Sequence, residues 1–234
     1  MTATDSPIIE TKGSVRLYRY LDAKAALNTI ERRAFRIGRI HELNDPFEWR
    51  IGITGIIPEG EALARSLLDN FINDFSERTG VLSFSDTSED AVLWSHYADK
   101  HQGVAFEVDH QIDPEHLFKM EYTNERPVVD ANRLRDSEGL ENYLKPLIDQ
   151  LMKQKSPGWS YEREYRVFVG LESCDTSEGH YFRRIPDNYL NRIILGFKCP
   201  LQPAYVSRTL AMRGLTDTEV VRAQMCLETY AIRS

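Results

Sequence analysis

The hydrophobic and polar positions at the start of the chain predict a strand, a helix and a second strand. Residues 15–20, VRLYRY, are typical of a short strand. Asp22 stands where a helix N-cap would, and the apolar positions that follow it at helical spacing are Ala23, Leu27, Ile30 and Ala34. The second strand is predicted around residues 34–37.

The next segment, HELNDPFEW (residues 41–49), predicts a loop followed by a helix. It is rich in turn-forming residues, and Pro46 disfavours a helix that continues through Asp45. We expect a rigid loop in which Asn44 and Asp45 bind their own backbone and Phe47 fills the core. The apolar face of the following helix is predicted at Leu63, Leu67 and Phe71.

Strand-like alternation returns in VLSFSD (residues 81–86) and VAFEVD (residues 104–109). Ser88 is predicted to cap a third helix between these strands. Residues 139–153 have the pattern of a further helix, and WSYEREYRVFVGLE (residues 159–172) is predicted to return to strand.

The last segments predict a buried strand in NRIILGFK (residues 191–198), a helix over residues 201–213 and a strand in EVVRAQM (residues 219–225). Strands and helices follow one another without a regular βαβ alternation, and the sequence contains no glycine-rich phosphate-binding motif. We therefore expect an α+β fold with a single domain over residues 15–234, preceded by a flexible amino terminus over residues 1–14.

Composition narrows the class of protein. The chain has 234 residues, of which 41% are hydrophobic, so it can bury a substantial core. No segment has the roughly 20 apolar residues that cross a membrane, and the amino terminus does not resemble a signal peptide. The three cysteines, Cys174, Cys199 and Cys226, lack a CxxC spacing. We expect a cytoplasmic protein with reduced cysteines and no membrane partner.

The charge distribution is acidic overall, with one local basic segment. The formal net charge of −7 opposes broad contact with nucleic-acid phosphates. The segment ERRAFRIGR nevertheless gathers Arg32, Arg33, Arg36 and Arg39. A solvated helix end explains these residues, and contact with a nucleic acid is the alternative.

The motif YEREYRV contains two glutamates with one residue between them. In an extended chain Glu162, Glu164 and Arg166 share one face, so the two carboxylates would point the same way. One interpretation is a charged sheet edge in which Glu164 pairs with Arg166. The other is a pair of carboxylates that act together in catalysis.

Two further classes of function remain open from the residues. A metal-dependent nuclease or hydrolase is one, with His96, Asp99 and His101, or with His41, Asp45 and Glu48, as ligands. The spacing of His96 and His101 places them on different faces of a helix, which disfavours a shared metal. The other class is a non-catalytic regulatory or antitoxin-like module. No GxSxG or cysteine-based nucleophile motif is present.

Four segments together resemble a bacterial family of unknown function, number twenty-nine seventy-one: LYRY, NDPFEW, LSFSDTSEDAVLWSHYADKHQGVAFEVD and YEREYRVF. The resemblance extends from about Arg16 to Gly196. In motif order that family is similar to the ADP-ribosyltransferase superfamily, in the branch with an arginine, a Ser-x-Ser and a Glu-x-Glu motif. The corresponding positions here are Arg19, Ser83, Ser85, Glu162 and Glu164.

The second resemblance implies a split, bent β-sheet with flanking helices that holds NAD as substrate. It assigns Glu164 to stabilising charge on the ribose and Glu162 to orienting or deprotonating the acceptor. Arg19 would bind the pyrophosphate or the nearby ribose, and Ser83 and Ser85 would bind the ribose or support Glu164. The candidate walls for nicotinamide are Trp94, Tyr97 and Tyr161.

The expected activity is transfer of ADP-ribose to a protein or nucleic acid, or else hydrolysis of NAD. By analogy at the level of the family, such proteins act as toxins or phage-defence effectors. If Glu164 faces an open cleft, Glu164→Gln should abolish turnover and leave thermal stability nearly unchanged.

Overall fold

The computed structural model describes residues 13–55, 61–111, 116–135 and 140–234. The α-helices are α1 (Ala23–Arg32), α2 (Glu61–Arg78), α3 (Ala91–Tyr97), α4 (Leu140–Lys153) and α5 (Pro203–Met212). The first eight strands are β1 (Ser14–Leu21), β2 (Ala34–Arg39), β3 (Gly52–Thr54), β4 (Thr79–Ser85), β5 (Val104–Gln111), β6 (Leu117–Lys119), β7 (Glu121–Tyr122) and β8 (Val128–Asp130). The others are β9 (Gln154–Lys155), β10 (Glu164–Gly170), β11 (Asp175–Ser177), β12 (His180–Arg184), β13 (Leu190–Leu195), β14 (Glu219–Arg222), β15 (Gln224–Met225) and β16 (Ile232–Arg233).

Strand β4 organises the main sheet because three strands share its two edges. Along one edge it pairs with all of β10, from Glu164 opposite Ser85 to Gly170 opposite Thr79. The other edge is divided: β2 pairs with its first half through Gly38 and Val81, and β1 meets only its last residue, Ser85. The sheet is therefore split beside β4, with β2, β12 and β11 on one side and β1, β5, β13 and β14 on the other.

Helices cover the sheet on both faces. A large hydrophobic cluster joins Leu17, Phe106 and Ile193 of the sheet to Ile30 of α1 and Leu210 of α5. On the opposite face, α2 and α4 cover β4 and β10 in a second cluster that includes Val81 and Phe168. A third cluster packs Trp94 of α3 against Ala105 and Ile194. Between the second and third clusters this face of the sheet carries polar side chains, and the candidate site lies there.

The structure confirms the predicted fold class, since helices flank a mixed, open sheet of ten strands within the described residues. The predicted cap of α1 is confirmed, because the Asp22 carboxylate accepts a hydrogen bond of 2.7 Å from the Ala25 amide. Most of the amino terminus predicted to be flexible lies outside the described residues, and β1 begins at Ser14. The ADP-ribosyltransferase type of the sheet stays a prediction.

Two local predictions about helices are wrong. Helix α2 exists, but Leu63 and Leu67 are 65% and 39% exposed, whereas Ala64 and Leu68 are buried. The two leucines predicted to be buried thus face outward, whereas the third predicted position, Phe71, is partly buried against the second cluster. Helix α3 is capped by Asp90 rather than by Ser88, since the Asp90 carboxylate accepts from the amides of Val92 and Leu93.

Candidate functional site

A cavity of about 320 Å³ opens on the polar part of the sheet, beside the split. Its walls come from β1, β2, β4, α3, β9, β10 and the 3-10 helix Pro157–Glu162. Six of the eight predicted site residues line it: Arg19, Ser83, Ser85, Tyr97, Glu162 and Glu164. These residues are far apart in the sequence, so their convergence is a property of the fold.

The register of the strands explains why several of these side chains face the cavity. Glu164 lies directly opposite Ser85, and Arg166 lies opposite Ser83, in the antiparallel pair of β10 and β4. Residues directly opposite each other project on the same face of a sheet. Tyr18 of β1, which is also opposite Ser85, joins the same face. One polar face thus crosses three neighbouring strands.

A buried ionic cluster forms the floor of the cavity. Arg166 binds both oxygens of Glu164, with Nε 2.7 Å from Oε1 and Nη2 2.9 Å from Oε2, and it also contacts Glu48. The Lys155 ammonium lies 3.0 Å from Glu164, 3.3 Å from Glu48 and in contact with Glu162. Three carboxylates therefore share two cations, which leaves one net negative charge when all five groups are ionised.

The two glutamates of the motif have opposite pKa shifts. Burial by itself raises the pKa of Glu164, but Arg166 and Lys155 outweigh it and lower that pKa to about 2. A hydrogen bond from Ser83 acts in the same direction. Burial raises the pKa of Glu162; Lys155 opposes this shift and the Glu164 charge adds to it. Glu164 is thus the fixed anion, and Glu162 is the carboxyl that gains a proton more easily.

Glu162 is held from the side of α3 as well. The Tyr97 hydroxyl donates a hydrogen bond to the Glu162 carboxylate. Asn44 in turn donates from its side-chain amide to the Tyr97 oxygen at 2.7 Å. This chain of contacts fixes the orientation of the carboxyl group at the wall of the cavity.

Arg19 occupies the split between β1 and β2. Its Nη1 donates to the Ser83 carbonyl at 3.0 Å, and its Nη2 donates to the Arg36 carbonyl at 3.2 Å. The guanidinium also lies over the rings of Phe35 and Phe84, and burial lowers its pKa to about 10. Among the described residues Arg19 forms no ion pair, so it contributes positive charge to the cavity while part of its donor capacity joins the two halves of the sheet.

The structure does not bring Trp94 or Tyr161 to the cavity. Trp94 is fully buried, donates from Nε1 to the Ser88 carbonyl at 2.7 Å and meets Tyr20 edge to face. It is a core residue, so its prediction as a nicotinamide wall is wrong. Tyr161 lies outside the lining and contacts His96 through a hydrogen bond of 3.0 Å between its hydroxyl and Nδ1. Of the three predicted aromatic walls, only Tyr97 lines the cavity.

The predicted strand over the glutamate motif is also wrong in its first part. Residues 157–162 form a 3-10 helix, and Arg163 follows with a left-handed φ of 47° before β10 begins at Glu164. Glu162 and Glu164 therefore do not share a strand face. They converge because both reach Lys155.

The pairing of Glu164 with Arg166 is confirmed, but it is buried rather than placed at an exposed sheet edge. Glu164 is 5% exposed and Arg166 is 0% exposed. The Glu164 side chain is buried in the protein and also lines the cavity. The expectation that Glu164→Gln would leave thermal stability nearly unchanged is therefore replaced by an expected loss of stability.

The loop of residues 41–49 differs from its prediction in two of three contacts. Asp45 accepts a hydrogen bond from the Phe47 amide at 2.9 Å, as expected of a rigid turn. Asn44 instead binds Tyr97, and Phe47 is 60% exposed. Trp49 takes the predicted place of Phe47 in the core and stacks on Phe75 at 5.1 Å.

The metal-site alternative finds no support in the described residues. They contain no group of three or more His, Cys, Asp or Glu side chains arranged to hold a metal ion. His96 contacts Tyr161, whereas His101 packs on Phe197 at 4.8 Å. Glu48, proposed as a ligand, belongs to the ionic cluster.

The four arginines of the basic segment have separate partners. Arg32 ends α1 and lies over Phe182, Arg33 pairs with Asp187 at 2.6 Å, and Arg36 pairs with Glu42 at 3.2 Å. Arg39 lies over Tyr181 and lines the cavity. The segment is thus more than a solvated helix end, since one of its members reaches the candidate site.

Sequence reasoning missed Lys155 as a member of the site and named Glu48 only as a possible metal ligand. Glu48 had a weak signal, because it follows the tight NDP turn and turns often position functional groups. Lys155 had none, since KQKSP is an ordinary exposed pattern. The short parallel pairing of β7 with β9, which sets Tyr122 opposite Lys155, brings it inward.

The fold and site define an α+β protein with a buried ionic cluster at the split of its sheet. The model of the family described as "Protein of unknown function (DUF2971)" matches residues 93–167 and confirms the resemblance to that family over this segment, whereas Arg19, Ser83 and Ser85 lie outside the match. The matched segment contains Tyr97, Lys155, Glu162 and Glu164. No curated protein and no solved structure matches the chain. The similarity to ADP-ribosyltransferases stays a prediction.

None of the described helices combines the length and the apolar character needed to span a membrane. The three cysteines are free thiols; Cys199 is buried, and the other two are half-buried.

Proposed function

We propose that this protein cleaves the bond between ribose and nicotinamide in NAD and transfers ADP-ribose to a macromolecular acceptor, either a protein or a nucleic acid. The observation that carries the proposal is the convergence of Arg19, Ser83, Ser85, Glu162 and Glu164 on one cavity. The sequence motifs alone point to these residues. Ser83, Ser85, Glu162 and Glu164 meet at the polar wall of the cavity, and Arg19 reaches the cavity from the split beside it, which supports a shared chemical role.

Glu164 belongs to the ionic cluster that supplies the negative charge this reaction needs, because the cluster keeps one net negative charge beside the cavity when its five groups are ionised. Positive charge develops on the ribose as the bond from C1′ to the nicotinamide nitrogen breaks, and its electron pair leaves with nicotinamide. A carboxylate whose pKa is lowered to about 2 remains ionised throughout the neutral range. The Ser83 hydroxyl supports that carboxylate.

Glu162 completes the transfer. The acceptor donates a lone pair to C1′ and loses a proton, which a carboxylate within reach can take up and pass to solvent. A raised pKa makes Glu162 a better base than an ordinary carboxylate, while its contacts with Tyr97 and Lys155 hold it in place. If water takes the place of the acceptor, the same residues hydrolyse NAD.

The positive side of the cavity suits the phosphates of NAD. Arg19 and Arg39 both line it, and neither forms an ion pair among the described residues. The planar, multiply donating guanidinium is well matched to phosphate oxygens.

The test is to incubate the purified protein with NAD and to follow free nicotinamide by chromatography, with and without a cell lysate as acceptor. We expect release by the wild type, loss of release in Glu164→Gln, and stimulation by lysate. The matched control is Glu107→Gln, because Glu107 is also a buried carboxylate, paired with Arg192 at 2.6 Å, and does not line the cavity.

The assay is run at a temperature below the thermal transition of each variant. Equal loss of release in folded Glu107→Gln would mean that the loss in Glu164→Gln is not specific to the site. No release by the wild type and no shift of its thermal transition with NAD would contradict the proposal.

A further inference from the structure

We propose that Lys155 is a positioning residue for the proposed reaction: its ammonium group holds the Glu162 and Glu164 carboxylates next to each other at the cavity wall. The inference rests on the proposed function, since it assigns Lys155 a role in that same site. Its geometric part concerns the two glutamates alone and can be tested without turnover.

The ammonium group of Lys155 lies at the meeting point of three carboxylates. Glu164 Oε2 is 3.0 Å from Nζ, Glu48 Oε1 is 3.3 Å away, and Glu162 Oε2 makes a direct contact. Nζ donates hydrogen bonds to Glu162 and Glu164, while Glu48 Oε1 is held by charge alone, as an ion pair without a hydrogen bond. The Lys155 side chain is 2% exposed, and Nζ lies over the Trp159 ring, 5.0 Å from the ring centroid.

The local fold fixes Lys155 relative to Glu162. Strand β9 ends at Lys155, where pairing with β7 sets it opposite Tyr122. The chain then passes through the 3-10 helix Pro157–Glu162 and returns Glu162 to the same ammonium group. The Tyr122 hydroxyl accepts a hydrogen bond of 2.8 Å from the Glu164 amide, which links the start of β10 to β7.

The two glutamates depend on Lys155 to different degrees. Glu164 also has the bidentate contact with Arg166. Among the described residues, Lys155 is the cation that pairs with Glu162; the other group that binds Glu162 is the Tyr97 hydroxyl. Without Lys155, Glu162 would face the Glu164 charge with a hydroxyl as its remaining support. It would then bind a proton at higher pH or turn away from the cavity.

The groups that face this cluster come from five elements. Besides the glutamates and Lys155, they are Glu48 from the loop after β2, Tyr97 from α3, Tyr122 from β7, Tyr161 from the 3-10 helix and Arg166 from β10. Arg166 is bound to Glu164 and Glu48, so it is not free to replace Lys155 beside Glu162.

The experiment compares Lys155→Met, Lys155→Arg and the control Arg192→Met by carbon-13 NMR of the glutamate carboxyl groups as a function of pH. The Glu162 resonance is assigned by its absence in Glu162→Gln. Arg192→Met removes a cation from the buried carboxylate Glu107, outside the cavity. It therefore reproduces the loss of a buried ion pair without touching Lys155.

We expect Lys155→Met to move the titration of Glu162 upward by about one pH unit or more, as loss of a nearby opposite charge does. Lys155→Arg keeps a cation at this position and should bring the titration of Glu162 most of the way back to its wild-type position. Arg192→Met should lower stability without moving this titration. Where NAD is cleaved, the acid limb of the pH profile of nicotinamide release should move with the titration. An unchanged titration in folded Lys155→Met would overturn the inference.

Two other results, a variant that does not fold and a wild type that does not cleave NAD, still allow the role of Lys155 to be tested. If Lys155→Met does not fold, the double variant Lys155→Met/Glu48→Gln restores the net charge of the cluster, and the same titration is measured in it. If the wild type does not cleave NAD, the proposed function fails, while the NMR titration still decides whether Lys155 controls Glu162.

Discussion

Arg166 and Glu164 form a closed pair on one strand, with the guanidinium bound to both carboxylate oxygens at 2.7 and 2.9 Å. They are two residues apart on β10, so the alternation of the strand projects both side chains on the same face. The carboxylate also lines the cavity. The same pair therefore belongs both to the buried part of the sheet and to the wall of the cavity, where the proposed function gives Glu164 its role.

Replacing the cation of this pair should destabilise the protein strongly. Arg166→Met leaves the buried carboxylates of Glu164 and Glu48 with Lys155 as their remaining cation. Loss of one partner from a buried ion pair costs about 3–5 kcal/mol. Unfolding by urea, followed by circular dichroism, measures this loss. The exposed Arg50 gives the control Arg50→Met, for which we expect a change within about 0.5 kcal/mol.

Glu164 should also make stability depend on pH in the acid range. Its pKa is about 2 in the folded protein, against an ordinary value of 4.5. A lowered pKa in the folded state means that the stabilisation is fully present above pH 4.5 and is lost as the pH falls toward 2. Glu164→Gln should accordingly be less stable than the wild type at pH 7, and the difference should shrink through this window.

Denaturant titrations of both proteins from pH 7 downward provide the measurement. A difference in the free energy of unfolding that stays constant across the window would show that the Glu164 charge is not stabilised by the fold. Glu107→Gln, run in parallel, separates this effect from the general cost of replacing a buried glutamate.

The sequence predicts the longer helices and several strands of this fold because they depend on local patterns, but it missed β12, which pairs with β2 in the main sheet. Asp22 caps α1 as predicted, the helix predicted over residues 201–213 forms α5, and the alternating segment at residues 81–86 forms most of β4. The exposed face of α2 was missed because Leu63 and Leu67 are apolar yet face outward. Periodicity identifies a helix, but tertiary packing decides which side is buried.

The site was predicted only in part because its cations are positioned by long-range contacts. The motif residues Ser83, Ser85 and Glu164 lie on strands whose alternation the sequence shows. Lys155 reaches them through the two-residue strand β9, which carries no local signal. The sequence also gives no signal for the left-handed backbone at Arg163, because arginine rarely adopts this conformation. This conformation separates Glu162 from strand β10.

Two aromatic substitutions should separate the core from the cavity wall. Trp94→Phe removes the donor to the Ser88 carbonyl and should cost about 1–3 kcal/mol of stability without changing the KM for NAD. Tyr97→Phe removes the hydroxyl that holds Glu162 and should lower kcat for nicotinamide release. Thermal unfolding and steady-state kinetics of both variants are the measurements. A raised KM in Trp94→Phe at unchanged stability would restore Trp94 as a wall of the site.

Glu162→Gln should be at least as stable as the wild type at pH 7, opposite in sign to Glu164→Gln. Burial raises the pKa of Glu162, and although Lys155 opposes the shift, the net effect disfavours its charged form in the folded state. A raised carboxyl pKa means that ionisation destabilises the fold above that pKa, so a neutral side chain of the same shape removes the penalty. The substitution also balances the charge of the cluster, leaving two carboxylates with Lys155 and Arg166.

The stability advantage of Glu162→Gln should disappear as the pH falls and the wild-type carboxyl becomes protonated. Parallel urea unfolding of both proteins from pH 8 to pH 4 measures this difference. A clear loss of stability in Glu162→Gln at pH 7 would mean that its contacts with Lys155 and Tyr97 outweigh the cost of burying the charge.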